Sequence, residues 1–218
     1  MITDLIVDRP KRVIIFCECS GVIREAFRSL GHDAWSCDLQ AADDGSPHHF
    51  QCDAREIMAD SGEWDMAGFH PECRFLTVAG MHWNNRGRGW EGTIAALAFV
   101  KWCLDHKLPY YLENPVSIIS THFRKPDQTF QPYEFGDDAS KKTCLWLNDL
   151  PPLKKNPLDR FSGRLVQHNG KIVERWSNQT DGGQNKLAPS PTRSKDRSKS
   201  YPGPALAMAK QWGGIIKC

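Results

Sequence analysis

Hydrophobic and polar positions near the start of the chain switch between strand-like and helix-like spacing. Residues 13–17 form an unbroken apolar run, as expected of a strand buried on both faces. Apolar residues then recur at helical spacing from 22 to 30, and Gly31 ends that stripe. A second apolar run at 34–37 stops at Asp38. A strand, a helix and a strand in this order predict the first βαβ unit of a doubly wound α/β sheet.

The same kind of pattern continues until the last third of the chain. We expect further strands over 64–69, 110–112 and 139–147, and helices over 93–105 and 205–212. Between 151 and 202 the composition shifts to Pro, Gly, Ser, Asn and Lys/Arg, with little periodicity. The predicted fold is therefore α/β, a doubly wound, Rossmann-like sheet with a small basic insertion near the C-terminus. The predicted units are a sheet domain at 1–147, the basic segment at 148–196 and a segment at 197–218 that returns to the sheet domain.

Charge is distributed unevenly along the chain. The formal net charge is +2, from 28 Lys and Arg against 26 Asp and Glu. Residues 1–153 hold 15 basic and 22 acidic side chains, a net of −7, whereas residues 154–199 hold 11 and 4, a net of +7. Such a basic stretch attracts polyanions, so we favour a nucleic acid partner over a merely solvated surface.

Composition also excludes several classes of protein. Ten Phe and eight Trp argue against a disordered chain. The longest apolar run, 94–100, is far shorter than the ~20 residues of a membrane-spanning helix. Asp4 and Asp8 stand where a secretory signal has basic and apolar residues, so we expect a cytoplasmic protein. The eight cysteines include no Cys-x-x-Cys pair, and His70 and the other histidines lack partners at ligand spacing. We therefore expect reduced thiols and no metal.

Polar side chains collect where the predicted strands end. A small, polar turn at 16–21 follows the first strand, Cys73 follows a middle strand, and Glu113 and Asn114 end the next one. Open α/β sheets bind ligands at the carboxyl ends of their strands. The turn lacks a full Gly-x-Gly-x-x-Gly pattern, which favours a single nucleoside-like cofactor over a dinucleotide.

Three segments, in this order, resemble the cytosine carbon-5 DNA methyltransferases, in the compact branch found in phages and prophages. They are FCECSG at 16–21, FHPECRFLTVAG at 69–80 and YYLENP at 110–115. RSKSYPG at 197–203 is similar to the last block that this family shares. The resemblance covers most of the chain. It implies a methyltransferase sheet, S-adenosylmethionine as cofactor, cytosine-containing DNA as partner and, for a phage protein, the host-cell cytoplasm as location.

The resemblance also implies roles for individual residues. Cys73 would be the nucleophile and Glu113 would contact the target base. The cofactor would be held by Phe16, Glu18, Cys19, Ser20, Gly21, Asp38 at the ribose, Asp53 at the adenine, and Pro71. DNA or the base would be contacted by Asn114, Lys141, Thr143 and Arg197. The basic segment at 148–196 would take the place of the target-recognition region.

The chemistry explains why the family needs these residue types. Carbon 5 of cytosine becomes nucleophilic only after a group adds to carbon 6, and a thiolate is the side chain best suited to add there. A Glu that keeps its proton in an apolar pocket would neutralise the charge that develops on the ring. Glu72, which separates Pro71 from Cys73, is expected to raise the pKa of the thiol.

Three alternatives remain open from the sequence. The methyl acceptor could be an exocyclic amine, because residues 70–73 stand where amino methyltransferases carry their own proline-rich loop. The substrate could be a free nucleotide, since the recognition segment is short. The chain could also be a catalytically silent DNA-binding regulator, and Glu72 favours that interpretation.

Overall fold

The computed structural model describes residues 6–7, 9–57, 62–190 and 193–216; Asp4 and Asp8, and the last two residues of the predicted C-terminal segment, lie outside them. The described strands are β1 (Ile6–Val7), β2 (Arg12–Phe16), β3 (Asp33–Asp38), β4 (His49–Gln51), β5 (Met66–Phe69), β6 (Tyr110–Pro115), β7 (Gln128–Phe130), β8 (Thr143–Asn148), β9 (Arg164–His168), β10 (Lys171–Arg175) and β11 (Ile215–Ile216). The α-helices are α1 (Val22–Ser29), α2 (Val78–Met81), α3 (Glu91–Leu104), α4 (Ile119–His122), α5 (Arg193–Ser198) and α6 (Pro202–Met208).

Seven strands form a central sheet in the order β4-β3-β2-β5-β6-β8-β7. Strands β2 to β6 are parallel, and β8 runs antiparallel to both of its neighbours. The predicted α/β class is confirmed, and the sheet is compatible with a Rossmann-like fold. From β2 the chain builds outward to β4, and it then returns beside β2 as β5 and builds the other side. The strand order therefore reverses between β2 and β5, where open α/β sheets bind their ligands.

Helices cover both faces of this sheet, because side chains of a strand point alternately to opposite faces. Ile14 and Phe16 of β2 lie in the same core as Val100 of α3. Val13 of β2 lies in the other core with Phe27 of α1, and α6 packs on that face too. The β2 side chains in both cores are fully buried, which explains their unbroken apolar run.

The backbone of Gly68 and the ring of Tyr111 are in close contact in the middle of the sheet. Gly68 of β5 lies against the ring of Tyr111 on β6, so a Cβ at this position would overlap the phenol. The absence of a side chain at Gly68 lets Tyr111 lie flat over β5, with its hydroxyl near the carboxyl end of that strand. This contact shapes the site described below.

Most predicted elements are present, with bounds that differ by a few residues. The predicted strands correspond to β2, β3, β5, β6 and β8, and the predicted helices to α1, α3 and α6. Strands β4 and β7 were not predicted, since three residues carry too little pattern. None of the described helices has the length and apolar character needed to cross a bilayer.

The basic segment contains a β-hairpin that the sequence pattern did not predict. Strands β9 and β10 pair over five residues each and form a separate two-stranded sheet. Their two-residue turn, Asn169 and Gly170, has φ values of 50° and 74°. Two consecutive positive φ values at Asn-Gly are typical of a type I′ hairpin turn. We call residues 164–175 the hairpin.

Candidate functional site

The sheet register brings Glu113, one of the predicted catalytic residues, next to His70 at the carboxyl ends of β5 and β6. Phe69 pairs with Phe16 on one side and with Leu112 on the other. The next residue on β5 is His70 and the next on β6 is Glu113, so their side chains meet just beyond the paired strands. The His70 Nδ1 to Glu113 Oε2 distance is 3.7 Å.

His70 is held by two partners. Its Nε2 lies 3.0 Å from the Tyr111 hydroxyl, and its Nδ1 faces Glu113. No group of His, Cys, Asp and Glu suited to a metal ion exists among the described residues. The interpretation of His70 as a histidine with satisfied partners is confirmed. Its role beside Glu113 was missed from the sequence, although the strand ends could have indicated it.

The protonation of Glu113 differs from the prediction. Burial by itself raises the pKa of this carboxyl, but the charges of Lys141 and His70 and hydrogen bonds from His70 and Thr143 together hold the pKa below its ordinary value. The expectation that Glu113 keeps its proton in an apolar pocket is therefore wrong for the ligand-free protein. Its carboxylate is ionised at neutral pH.

Cys73 begins a short 3₁₀ turn, Cys73–Phe75, and its side chain is half-buried. Burial raises the pKa of the thiol, Lys141 opposes that rise, and Glu113 and Glu72 add to it. The predicted direction of the Glu72 effect is confirmed. The thiol is protonated at neutral pH in the ligand-free protein, so its activation needs a proton acceptor.

A small cleft joins Glu113 and His70 to the C-terminal part of the chain, and Cys73 is not among the residues that line it. Glu113, His70, Lys141 and Thr143 line one side of it. It is also lined by Ile23, by Phe130 and Pro132, and by residues of α6 and the two positions before that helix. Residues from six separate stretches of sequence therefore share one concave surface at the carboxyl ends of the parallel strands.

Asn114 does not face this cleft. Its side chain is buried, and its Nδ2 donates a hydrogen bond of 2.8 Å to the carbonyl oxygen of Pro71. Successive strand residues point in opposite directions, so Asn114 and Glu113 face different sides of the sheet, and the predicted contact of Asn114 with DNA or the base stays a prediction. Asn114 instead ties the end of β6 to the loop that carries Cys73. The contribution of Pro71 that the structure shows is this carbonyl.

The turn after β2 is built around a buried carboxylate. Glu18 is 3% exposed, and its side chain accepts hydrogen bonds from the backbone N–H groups of Ile23 at 2.7 Å and Arg24 at 3.3 Å. These groups belong to the first turn of α1, so Glu18 caps the helix. Burial raises the pKa of Glu18, while His70 and the two backbone bonds oppose the rise.

The remaining residues of the predicted cofactor turn have distinct surroundings. Gly21 has φ 71°, and a Cβ there would overlap the Arg24 side chain, so only glycine fits. Cys19 and Ser20 are half-buried on the turn. Phe16 is fully buried and stacks on Phe69 with 5.1 Å between ring centroids. Phe16 supports the turn from the core, and its predicted contact with the cofactor stays a prediction.

Two acidic residues lie at the carboxyl ends of β3 and β4. Asp38 ends β3, is half-buried and accepts a 2.9 Å hydrogen bond from the Gln40 backbone through one carboxylate oxygen. Asp53 caps a 3₁₀ turn and is bonded through both oxygens to the Arg55 guanidinium. The bonds from Arg55 lower the pKa of Asp53 to about 2. Asp38 has an oxygen available for a ligand, whereas Asp53 must first release Arg55.

Negative charge concentrates at the turn itself. Burial raises the pKa of the Cys17 thiol to about 12, and Asp38, Asp53 and Glu72 all add to that rise. Three carboxylates therefore act on the same point near the reversal of strand order. One of the three, Asp53, is already paired with the Arg55 guanidinium.

Arg197 is not brought to the cleft. It lies exposed on α5, and it is absent from the residues that line the surface around Glu113. Its predicted DNA contact stays a prediction, made from a position outside the cleft.

No protein-family model matches this chain, and no curated protein sequence shows significant similarity to it.

Proposed function

We propose that the chain is an S-adenosylmethionine-dependent DNA methyltransferase that acts on carbon 5 of cytosine through Cys73. The observation that carries the proposal is the shared surroundings of Cys73, Glu113 and Lys141 beside the reversal of strand order. A methyltransferase-type, doubly wound organisation of the sheet, with residues 148–196 in the recognition role, is part of the same proposal.

The surroundings of the turn suit a sulfonium cofactor. The carboxylates of Asp38, Asp53 and Glu72 favour a cation at this place. Asp38 offers its second oxygen to a ribose hydroxyl, and Leu39, whose side chain is exposed beside it, offers apolar surface to a purine. Asp53 would meet the adenine amino group after exchanging its bonds to Arg55. When bound, S-adenosylmethionine supplies an electrophilic methyl group.

Glu113 and Cys73 begin in complementary protonation states. The thiol holds a proton and the carboxylate does not, as the directions of their pKa shifts require. A base that enters the cleft excludes water, which favours the neutral form of Glu113. We propose that the thiol proton passes to Glu113, and that the Cys73 sulfur then forms a bond to carbon 6.

The remaining steps follow from the balance of charge. As the sulfur–carbon bond forms, the C5–C6 π electrons move toward nitrogen 3, and Glu113 delivers its proton there. Carbon 5 is then nucleophilic and accepts the methyl group. Methylation leaves nitrogen 3 positively charged, so nitrogen 3 returns its proton to Glu113. Water then takes the carbon-5 proton, the electrons of that C–H bond re-form the C5–C6 double bond, and Cys73 leaves as a thiolate that regains its proton from Glu113. Lys141 stabilises both negative charges, on sulfur before addition and on Glu113 afterwards.

A base inside a duplex is out of reach of this cleft. Glu113 is 16% exposed and shares the lining of the cleft with Lys141 and with residues of α6. A target nucleotide must therefore be extruded from the stack, at a cost of a few kcal/mol. The basic segment offers the backbone contacts that offset this cost.

The test is covalent trapping. The protein is incubated with S-adenosylmethionine and duplex DNA that contains 5-fluorocytosine, and peptides are analysed by mass spectrometry. We expect an adduct on Cys73, its loss in Cys73→Ala and its retention in Cys52→Ala, which removes another partly buried thiol.

Other outcomes identify the alternatives. Methylation that persists in Cys73→Ala would mean transfer to an exocyclic amine. Methylation of deoxycytidine nucleotides without methylation of duplex DNA would mean a nucleotide substrate. DNA binding without an adduct, while S-adenosylmethionine is bound, would mean a silent regulator.

A further inference from the structure

Two cysteines face each other at the edge of the central sheet. Cys37 lies on β3, and Cys52 directly follows β4, the last strand on that side. Their Sγ atoms are 3.8 Å apart, and the Cys37 Sγ also lies 3.5 Å from the Cys52 carbonyl oxygen. The two residues are distant in sequence, so the fold is what brings the thiols together.

The register of the two strands explains why the thiols meet. Strands β3 and β4 are parallel, and Cys37 is the partner of Phe50. Residues two apart on a strand share a face, so Trp35 and Cys37 lie on the same face of β3. The Trp35 ring stacks on Phe50 with 4.9 Å between ring centroids. Cys37 meets Cys52 in the same way, two residues further along each chain.

The two thiols differ in accessibility. Cys37 is fully buried, whereas Cys52 is half-buried. Burial and the neighbouring Cys52 raise the pKa of the Cys37 thiol. A soluble oxidant therefore reaches Cys52 first, and Cys37 is the thiol that completes a bond between the two sulfurs.

A bond between these sulfurs requires a small movement. The S–S distance of a disulfide is about 2.05 Å, so the sulfurs must approach each other by roughly 1.8 Å. Strand β4 is three residues long and is paired in the central sheet with β3 alone. An edge strand held by so few hydrogen bonds shifts more easily than a strand in the middle of the sheet.

Each cysteine directly precedes one acid of the proposed cofactor site. Asp38 follows Cys37 at the carboxyl end of β3, and Asp53 follows Cys52 at the start of a 3₁₀ turn. A movement that joins the sulfurs therefore also moves the backbone that carries both carboxylates. Displacement of a positioning group by about 1 Å weakens its contribution by up to about a hundredfold.

We propose that Cys37 and Cys52 form a reversible redox site, which a low-molecular-weight disulfide oxidises to an intramolecular disulfide that weakens cofactor binding. The effect on the cofactor rests on the proposed function, whereas the disulfide itself can be measured without cofactor or methyl transfer.

The oxidation consists of two thiol–disulfide exchanges. The Cys52 thiolate attacks one sulfur of the soluble disulfide, whose S–S bond breaks, and the released thiolate takes up the proton that Cys52 lost. The Cys37 sulfur then attacks the Cys52 sulfur, the mixed disulfide breaks, and the second released thiolate takes up the Cys37 proton. The two cysteines lose two electrons, and the soluble disulfide is reduced to two thiols. A reducing cytoplasm returns the pair to thiols by the reverse exchanges.

The first test maps the disulfide in the full chain. The protein is incubated with oxidised glutathione, the remaining thiols are blocked with iodoacetamide, and the chain is digested with a protease that cleaves before aspartate. This cleavage separates DAWSC at 33–37 from DGSPHHFQC at 44–52. We expect mass spectrometry to find these two peptides joined, and to find them separate after treatment with dithiothreitol.

Matched variants identify the partner of Cys37. The joined peptides should be absent in Cys52→Ser. They should persist in Cys17→Ser, which removes the other thiol that acts electrostatically on Cys37.

The second test measures the consequences of oxidation. The Tm of the wild-type chain should rise by roughly 5–10 °C, because a disulfide restricts the unfolded chain. Calorimetry should show S-adenosylmethionine binding weakened by about tenfold or more. Dithiothreitol should reverse both changes, and Cys52→Ser should show neither.

Two results would overturn the inference. The first is that glutathione stays on Cys52 as a mixed disulfide, or that Cys37 is joined to Cys17, while 33–37 and 44–52 remain separate. The second is that these peptides are joined but the oxidised and reduced chains bind S-adenosylmethionine equally well.

Failure of the proposed function gives a different pattern. If neither form binds S-adenosylmethionine but the peptides are joined and Tm rises, the cofactor assignment is wrong and the redox site remains. If the reduced chain binds S-adenosylmethionine and forms the Cys73 adduct but no joined peptides appear, the redox inference alone is wrong.

Discussion

The hydrogen bond from Asn114 to Pro71 predicts that a buried amide controls the position of Cys73. In Asn114→Ala the 2.8 Å bond to the Pro71 carbonyl is lost, together with the Asn114 Oδ1 atom, which is buried without a hydrogen-bond partner. Loss of one partner of a buried hydrogen bond costs about 1–3 kcal/mol in free energy of unfolding. For a chain of this size that corresponds to roughly 2–4 °C in Tm for each kcal/mol.

Asn148 provides a matched control at the other end of the same strand pair. It pairs with Tyr110 across β6 and β8, and its Nδ2 donates to the Leu108 carbonyl oxygen at 3.1 Å. Asn148→Ala therefore removes a similar bond at the opposite end of the β6–β8 pair, away from the loop that carries Cys73. We expect a smaller loss of stability, since Asn148 is less buried than Asn114.

Hydrogen exchange and trapping distinguish the two variants. Asn114→Ala should speed amide exchange at 70–77 and slow adduct formation with 5-fluorocytosine DNA by roughly tenfold to a hundredfold, as misplacement of a reacting group does. Asn148→Ala should leave both near wild-type values. Equal exchange at 70–77 in the two variants would refute the idea that Asn114 holds the loop, whatever reaction the cleft performs.

Three further predictions concern charge and packing. Lys141→Met should raise the pKa of Cys73, because the charge of Lys141 lowers it in the wild-type chain. The pH profile of iodoacetamide alkylation at Cys73 should therefore move to higher pH in Lys141→Met and stay in place in Lys142→Met. A shift to lower pH would contradict the effect of Lys141 on the thiol. Arg55→Ala should release Asp53 and bring its pKa up from about 2 toward its ordinary value. Calorimetry should then show tighter S-adenosylmethionine binding in Arg55→Ala and weaker binding in Asp53→Asn. Weaker binding in Arg55→Ala would mean that the guanidinium itself contacts the cofactor. Gly68→Ala should lower the free energy of unfolding in urea by about 1–3 kcal/mol, because the new Cβ overlaps Tyr111. Gly182→Ala should lower it little, since a Cβ there meets nothing nearer than 3.8 Å. Equal losses in the two variants would mean that Tyr111 moves aside.

The sequence predicted the α/β class because β2, β3 and β5 are short apolar runs next to clear helical stripes. It could not predict the direction of β8, since side-chain alternation reads the same in both directions along a strand. The hairpin was missed because its outer face carries Leu165 and Ile172, which break the expected apolar-in, polar-out alternation.

Site residues were predicted by type better than by environment. Glu113 acts electrostatically on the Cys73 thiol, yet the protonation of Glu113 itself depends on His70 and Lys141, which are distant in sequence. The orientation of Asn114 could have been predicted from the alternation of side chains along a strand. Adjacent residues of one strand cannot both face the same cleft, so Glu113 at the base implies that Asn114 points into the protein.

The capped turn at Glu18 has a consequence for competition inside a cell. Nucleoside triphosphates and dinucleotides, which are abundant there, often bind α/β proteins through the free N–H groups at the start of the first helix. In this chain the N–H groups of Ile23 and Arg24 already bond to Glu18. A phosphate would have to displace a carboxylate that belongs to the same polypeptide, present at every moment and at fixed distance. Glu18 therefore occupies the N–H groups through which phosphate-containing ligands commonly bind proteins of this fold class.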